Sequence, residues 1–116
     1  MNIKEVVRIL DAEIVCGENL DFHVNTACGS DMMSDVLAFV KDQSLLLTGL
    51  VNPQVIRTAD MMDMRCIVFV RGKTPTEEMT ALAQKLDIML LKTRYRMFTA
   101  CGRLYHEGLG GGCDET

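Results

Sequence analysis

The sequence predicts an α/β domain, a three-layer α/β/α arrangement with a mostly parallel central sheet, preceded by an N-terminal helix and a short β-ribbon. Two patterns lead there. From Ser30 onward, helix-like and strand-like segments alternate up to a final helix, the order that builds a sheet through crossover connections. The strand segments are also short and apolar with no polar alternation, as expected of strands covered by helices on both faces.

Ile3 to Leu10 reads as a helix, because Ile3, Val6, Val7 and Leu10 recur at helical spacing and Asn2 with Glu5 forms a capping box. Glu13 to Cys16 is a short strand and Gly17 to Leu20 a turn. Phe22 to Ala27 alternates apolar and polar residues as a half-wet strand would, and completes the ribbon. The helices that follow are Met32 to Lys41, Pro53 to Met62, Thr76 to Leu86 and Tyr95 to Glu107; the strands are Leu45 to Leu47, Cys66 to Val70 and Ile88 to Leu91. Ser30 or Asp31, Asn52 before Pro53, and Thr74 before Pro75 with Glu77 supply helix starts. Residues 1–109 read as one domain and 110–116 as a flexible glycine-rich tail.

Composition narrows the function classes. Apolar residues make up 48% and charged residues 24%, close to the globular average. No run approaches the ~18 apolar residues of a spanning helix, and Met1 to Glu5 lacks a signal core. A cytoplasmic protein without membrane contact is therefore expected. A net charge of −4 opposes general nucleic-acid binding, which relies on a basic surface.

The five cysteines, Cys16, Cys28, Cys66, Cys101 and Cys113, form no C-x-x-C pair, and an odd number suits no disulfide framework. Most read as small buried hydrophobes; Cys113 sits in the tail with an exposed thiol. Met32, Met33, Met61, Met62, Met64, Met79, Met89 and Met97 fall where core or near-core residues are expected, and methionine fills irregular core gaps.

In open α/β sheets, ligands sit beyond the carboxyl ends of the strands. The loops there bring Ser30 and Asp31, then Thr48, Gly49 and Asn52, then Arg71, Gly72 and Lys73, and finally Lys92, Thr93, Arg94 and Arg96. Capping alone accounts for Asn52, Thr74, Pro75 and Glu77. The basic residues need another account, because a helix N-terminus is already partly positive and an arginine there adds repulsion. Arg71, Lys73, Lys92, Arg94 and Arg96 at one sheet edge suit a phosphate or carboxylate; the alternative is five solvated charges on surface loops.

Catalytic patterns are incomplete. Gly72, Lys73 and Thr74 resemble the end of a P-loop, but Ile67 stands where its first glycine belongs. His23 and His106 lack metal-type spacing to cysteine or carboxylate. Asp31 and Asp35, at i and i+4 of one expected helix, offset its dipole more simply than they bind a cation.

Several segments together carry a family resemblance. Ser30 Asp31 Met32 Met33 Ser34 Asp35 Val36 is similar to a "SDLLSDV" segment. Asn52 Pro53 with Ala59, Ile67 Val68 Phe69 before Gly72 and Pro75, and Phe98 Thr99 Ala100 Cys101 Gly102 Arg103 Leu104 follow in order. Over about Thr26 to Leu109 the chain resembles stand-alone members of the DRTGG domain family, relatives of the N-terminal domain of HPr kinase/phosphorylase. The family's Asp-Arg pair is missing near Leu50 to Asn52, its Thr-Gly-Gly is replaced by Val70 Arg71 Gly72, and its Asp-Thr by Arg96 Met97.

The resemblance implies an α/β/α regulatory domain, often self-associating, without a reaction or cofactor of its own. The expected ligand is an anionic small molecule such as a nucleotide. Its expected contacts are Arg71, Lys73, Thr93, Arg94 and Arg96, with Ser30, Thr48 and Asn52 as polar neighbours. The other reading is a protein-interaction adaptor for a partner enzyme, using an apolar surface of Met61, Met62 and Met64. In either case a homodimer is expected.

Overall fold

The computed structural model describes residues 1–39 and 45–111. Ten elements follow one another: α1 (Ile3–Leu10), β1 (Glu13–Cys16), β2 (Ala27–Gly29), α2 (Met33–Phe39), β3 (Leu45–Thr48), α3 (Pro53–Met61), β4 (Cys66–Phe69), α4 (Glu77–Leu86), β5 (Met89–Lys92) and α5 (Met97–His106). The five strands form one sheet in the order β1-β5-β4-β3-β2. Strands β2 to β5 run parallel, and only β1 is antiparallel, against β5.

The register explains why β3, β4 and β5 are apolar up to the carboxyl ends of β3 and β5, where Thr48 and Lys92 stand. Leu45 and Leu47, Cys66 and Val68, and Met89 and Leu91 point to the face covered by α1 and α5. Leu46, Ile67, Phe69 and Leu90 point to the other face, where Val36 of α2, Val55, Ile56 and Ala59 of α3, and Met79 and Ala83 of α4 meet them. Successive strand residues alternate faces, so two covered faces favour apolar residues at consecutive positions, and the buried Thr48 is accommodated by the hydrogen bond its hydroxyl donates to Asp31. This is the expected three-layer class.

The ribbon is not formed. β1 and β2 lie at opposite edges of the sheet, and Phe22 to Thr26 crosses between them with only isolated bridges, Asn2 to His23 and Thr26 to Gly110. The alternation in that segment has a different cause: Phe22 and Val24 pack into the α1 side of the core, while Asp21, His23 and Asn25 face outward. At the expected boundary between domain and tail the chain is held to the sheet edge. Ala27 N–H donates to Gly110 O at 3.0 Å, and Leu109 is buried. Residues 112–116, Cys113 among them, lie outside the described residues, as do 40–44 at the expected end of the second helix.

Local capping chemistry fixes the helices. Asn2 and Glu5 form the expected box, and Asn52 accepts from Gln54 N–H with Pro53 opening α3. At α4 the cap is Thr76, whose hydroxyl accepts from Met79 N–H, in place of Thr74. The Thr74 hydroxyl instead accepts from Lys92 Nζ at 2.9 Å. Helix α5 begins at Met97, after Arg96 as its cap.

Met33, Met64, Met79 and Met89 are core residues, but Met32 and Met61 stand exposed. With Met64 wholly buried and Met62 half-buried, the expected Met61, Met62 and Met64 surface reduces to Met61.

Candidate functional site

The carboxyl ends of β2 to β5 end on Gly29, Thr48, Phe69 and Lys92, so four loops gather at one edge of the sheet. Two of them are tied together. After β4 the chain turns through Arg71 at φ 60° and Gly72 at φ 68°. Arg71 N–H then donates to Tyr95 O at 2.7 Å and Gly72 N–H to Thr93 O at 2.9 Å. Left-handed backbone costs roughly 1–2 kcal/mol for a residue with a Cβ. Among the described residues the other non-glycine positions with positive φ are Asp11, Asp63 and Asp87, a type that tolerates this region well. Arg71 is the exception, a large side chain kept on a turn that favours glycine.

Its guanidinium lies across the third loop. A Cβ built on Gly49 would stand 2.9 Å from Arg71 Cζ, so Gly49 leaves the space that the arginine fills. Asp31, from the loop after β2, completes the arrangement. One carboxylate oxygen accepts from Gly49 N–H at 2.7 Å and from Thr48 Oγ1 at 3.1 Å, and the other stands 3.8 Å from Arg71 Nη2. Asp31 precedes α2 and so does not share a helix face with Asp35.

Arg71, Lys73, Arg94 and Arg96 line one open hollow of about 550 Å³. The two tied loops therefore bring four cationic side chains together in a chain whose net charge is −4. Arg94 also pairs with Asp11 at 3.7 Å and lies 5.5 Å from the Tyr95 ring centroid. Both carboxylate pairings are long and exposed, a kind that contributes about 0–1 kcal/mol, so neither locks its arginine away from an anion. No ion pair engages Lys73 or Arg96 among the described residues. Arg96 caps α5 without a side-chain hydrogen bond.

The polar neighbours are placed differently. Thr93 is 2% exposed, with its hydroxyl donating to Leu10 O at 2.8 Å and accepting from Tyr95 N–H at 3.2 Å. Thr48 is buried and committed to Asp31 and Leu50. Asn52 is spent on its cap, and Ser30 Oγ accepts from Met32 N–H at 3.0 Å. These four position the loops around the cations. Lys92 is held by Thr74 and does not line the hollow. The importance of Asp31 and Gly49 escaped the sequence, since it depends on contacts between loops that are distant along the chain.

A second hollow of about 470 Å³ lies at the amino ends of β4 and β5, with Glu18, Phe22, Arg65, Asp87 and Met89 in its wall. Arg65 is occupied there, donating to Leu86 O at 2.9 Å and to Asp60 O at 3.2 Å, the last carbonyls of α4 and near-last of α3. Among the described residues no group of three His, Cys, Asp or Glu side chains could hold a metal. None of their helices is long and apolar enough to cross a membrane.

The DRTGG domain model matches residues 5–106. The chain belongs to the DRTGG domain family. The match begins well before Thr26, where the sequence segments first suggested it, so α1 and β1 are part of the DRTGG domain. Among proteins of curated function, none matches the chain. A similar solved structure is that of the CBS and DRTGG domains of the regulatory region of Clostridium perfringens pyrophosphatase, complexed with its activator diadenosine tetraphosphate. It superimposes with a TM-score of 0.73 at 19% identity, over 89% of this chain and 45% of that one. The likeness shows a shared fold, and this DRTGG chain spans less than half of that regulatory chain.

Proposed function

We propose that this DRTGG domain is a non-catalytic, ligand-sensing regulatory domain whose ligand is a nucleotide or other phosphorylated small molecule held at the carboxyl edge of the sheet. The observation that carries the reading is the hollow lined by Arg71, Lys73, Arg94 and Arg96. Guanidinium groups hold phosphate oxygens through paired, charge-assisted hydrogen bonds, and several of them converging on one space match a polyphosphate better than a single carboxylate. The strained backbone at Arg71 supports it further, since strain of that kind persists at positions where a side chain is needed. A regulatory region containing a DRTGG domain and bound to a nucleotide activator lends the reading a parallel.

The same proposal includes a cytoplasmic homodimer and kinship with the N-terminal domain of HPr kinase/phosphorylase; a partner enzyme belongs to the adaptor reading. A phosphoryl-transfer role has little support, because Ile67 sits inside β4 and leaves no glycine-rich loop to wrap a triphosphate.

Thermal unfolding against a panel of nucleotides, phosphorylated metabolites and divalent metals tests the reading. A ligand at 100 times its Kd adds about 2.7 kcal/mol, a shift of several degrees for a domain of this size. A rise with phosphorylated ligands supports the sensor. A flat panel, with one stoichiometric protein partner, would favour the adaptor instead.

A further inference from the structure

We propose that Phe98 is the nucleobase-stacking residue of the cationic site, so that the site selects base-bearing polyphosphates over inorganic ones. The inference rests on the reading of Arg71, Lys73, Arg94 and Arg96 as a polyphosphate cradle. Those four residues offer charge and donors but no apolar wall, so by themselves they would read phosphates and leave a base in water. A base needs a flat π-face, and aromatic side chains supply one for any base sequence.

Few rings among the described residues are free to do this. Phe69 is buried and Phe22 packs against the core. Tyr95, next to the hollow, already carries Arg103 at 4.5 Å and Arg94 at 5.5 Å from its ring centroid. Tyr105 is exposed but lies seven residues beyond Phe98 on α5, about 10 Å farther along the helix axis. Phe98 sits in the first turn of α5, two residues after Arg96, at the end of the helix that meets the carboxyl edge of the sheet. It is 90% exposed. Among the described residues no cation or ring contact engages its phenyl ring, and an extended ligand anchored on Arg96, two residues before it, would carry a base toward it.

The test is isothermal titration of the wild type, Phe98→Ala and Phe98→Tyr with ATP and with inorganic tripolyphosphate. Removal of a stacking ring should weaken ATP binding about tenfold while the tripolyphosphate affinity stays within about twofold, since the phosphate contacts are untouched. Phe98→Tyr should restore ATP binding. Unchanged ATP affinity in Phe98→Ala would overturn the stacking role and leave the cradle standing. An equal loss for both ligands would also overturn it, because Phe98 would then act on the cradle itself. Failure of both ligands to bind the wild type would remove the cradle and the stacking role together.

Discussion

The carboxylate of Asp31 accepts the amide N–H of Gly49 at 2.7 Å, joining the loop after β2 to the loop after β3. The same oxygen takes the buried Thr48 hydroxyl at 3.1 Å. Asp31→Ala would leave the Gly49 amide and the Thr48 hydroxyl without that acceptor. Unsatisfied buried groups cost about 1–3 kcal/mol, and a fall of several degrees in Tm should follow. Calorimetry of the two proteins checks it.

Gly49 matters for the space above it. Because a Cβ there would press on the end of the Arg71 side chain, Gly49→Ala should displace the guanidinium with little loss of Tm. Binding of tripolyphosphate should weaken by about fivefold, the equivalent of roughly 1 kcal/mol. Parallel melting and titration curves separate the two effects.

Arg71 sits at φ 60°, where glycine is at ease. Arg71→Gly relieves the left-handed strain while adding freedom to the unfolded chain, so stability should stay within about 1 kcal/mol. Anion affinity should fall about tenfold or more, given that a hydrogen bond to a charged group contributes roughly 1.5–3 kcal/mol. A large loss of stability would mean that the arginine serves the fold.

These contacts show what the sequence could carry and what it could not. The Asn2–Glu5 box and the Asn52–Pro53 start were legible because partners two or three residues apart decide them. The apolar runs of β3, β4 and β5 were legible because burial on both faces leaves no other composition. Phe22 to Thr26 misled because alternation reports which side chains are buried, and not whether the backbone pairs. In Thr74-Pro75-Thr76 either threonine could cap α4; Lys92, on a neighbouring strand, takes one of them. The four cations could be gathered at one edge by topology alone. The bracing of Arg71 by Asp31 and Gly49 is non-local and had no signature.

The thiols give the domain a pH response. Burial raises the pKa of Cys66 above its ordinary value, as it does for Cys16, Cys28 and Cys101. A raised folded-state pKa favours the protonated thiol in the native state, so stability is fully present below the unfolded pKa, about 8.5. Above it the unfolded chain loses protons that the native state keeps, and stability declines with pH. Tm should therefore fall from pH 8 to pH 10, and Cys66→Ala should flatten that fall. The four thiols should also react slowly with iodoacetamide at pH 7.5 until the protein unfolds.

Titration of tripolyphosphate into the wild type and an Arg71→Ala/Arg96→Ala variant, at 50 and 300 mM NaCl, tests the cationic cradle most directly. The wild type should bind, more weakly at the higher salt because exposed charges are screened over about 8 Å at physiological ionic strength. The variant should lose at least about tenfold in affinity, as expected when two charge-assisted contacts are removed. Equal affinity of the two proteins, or no binding by either, would contradict a phosphate site at the carboxyl edge of this sheet.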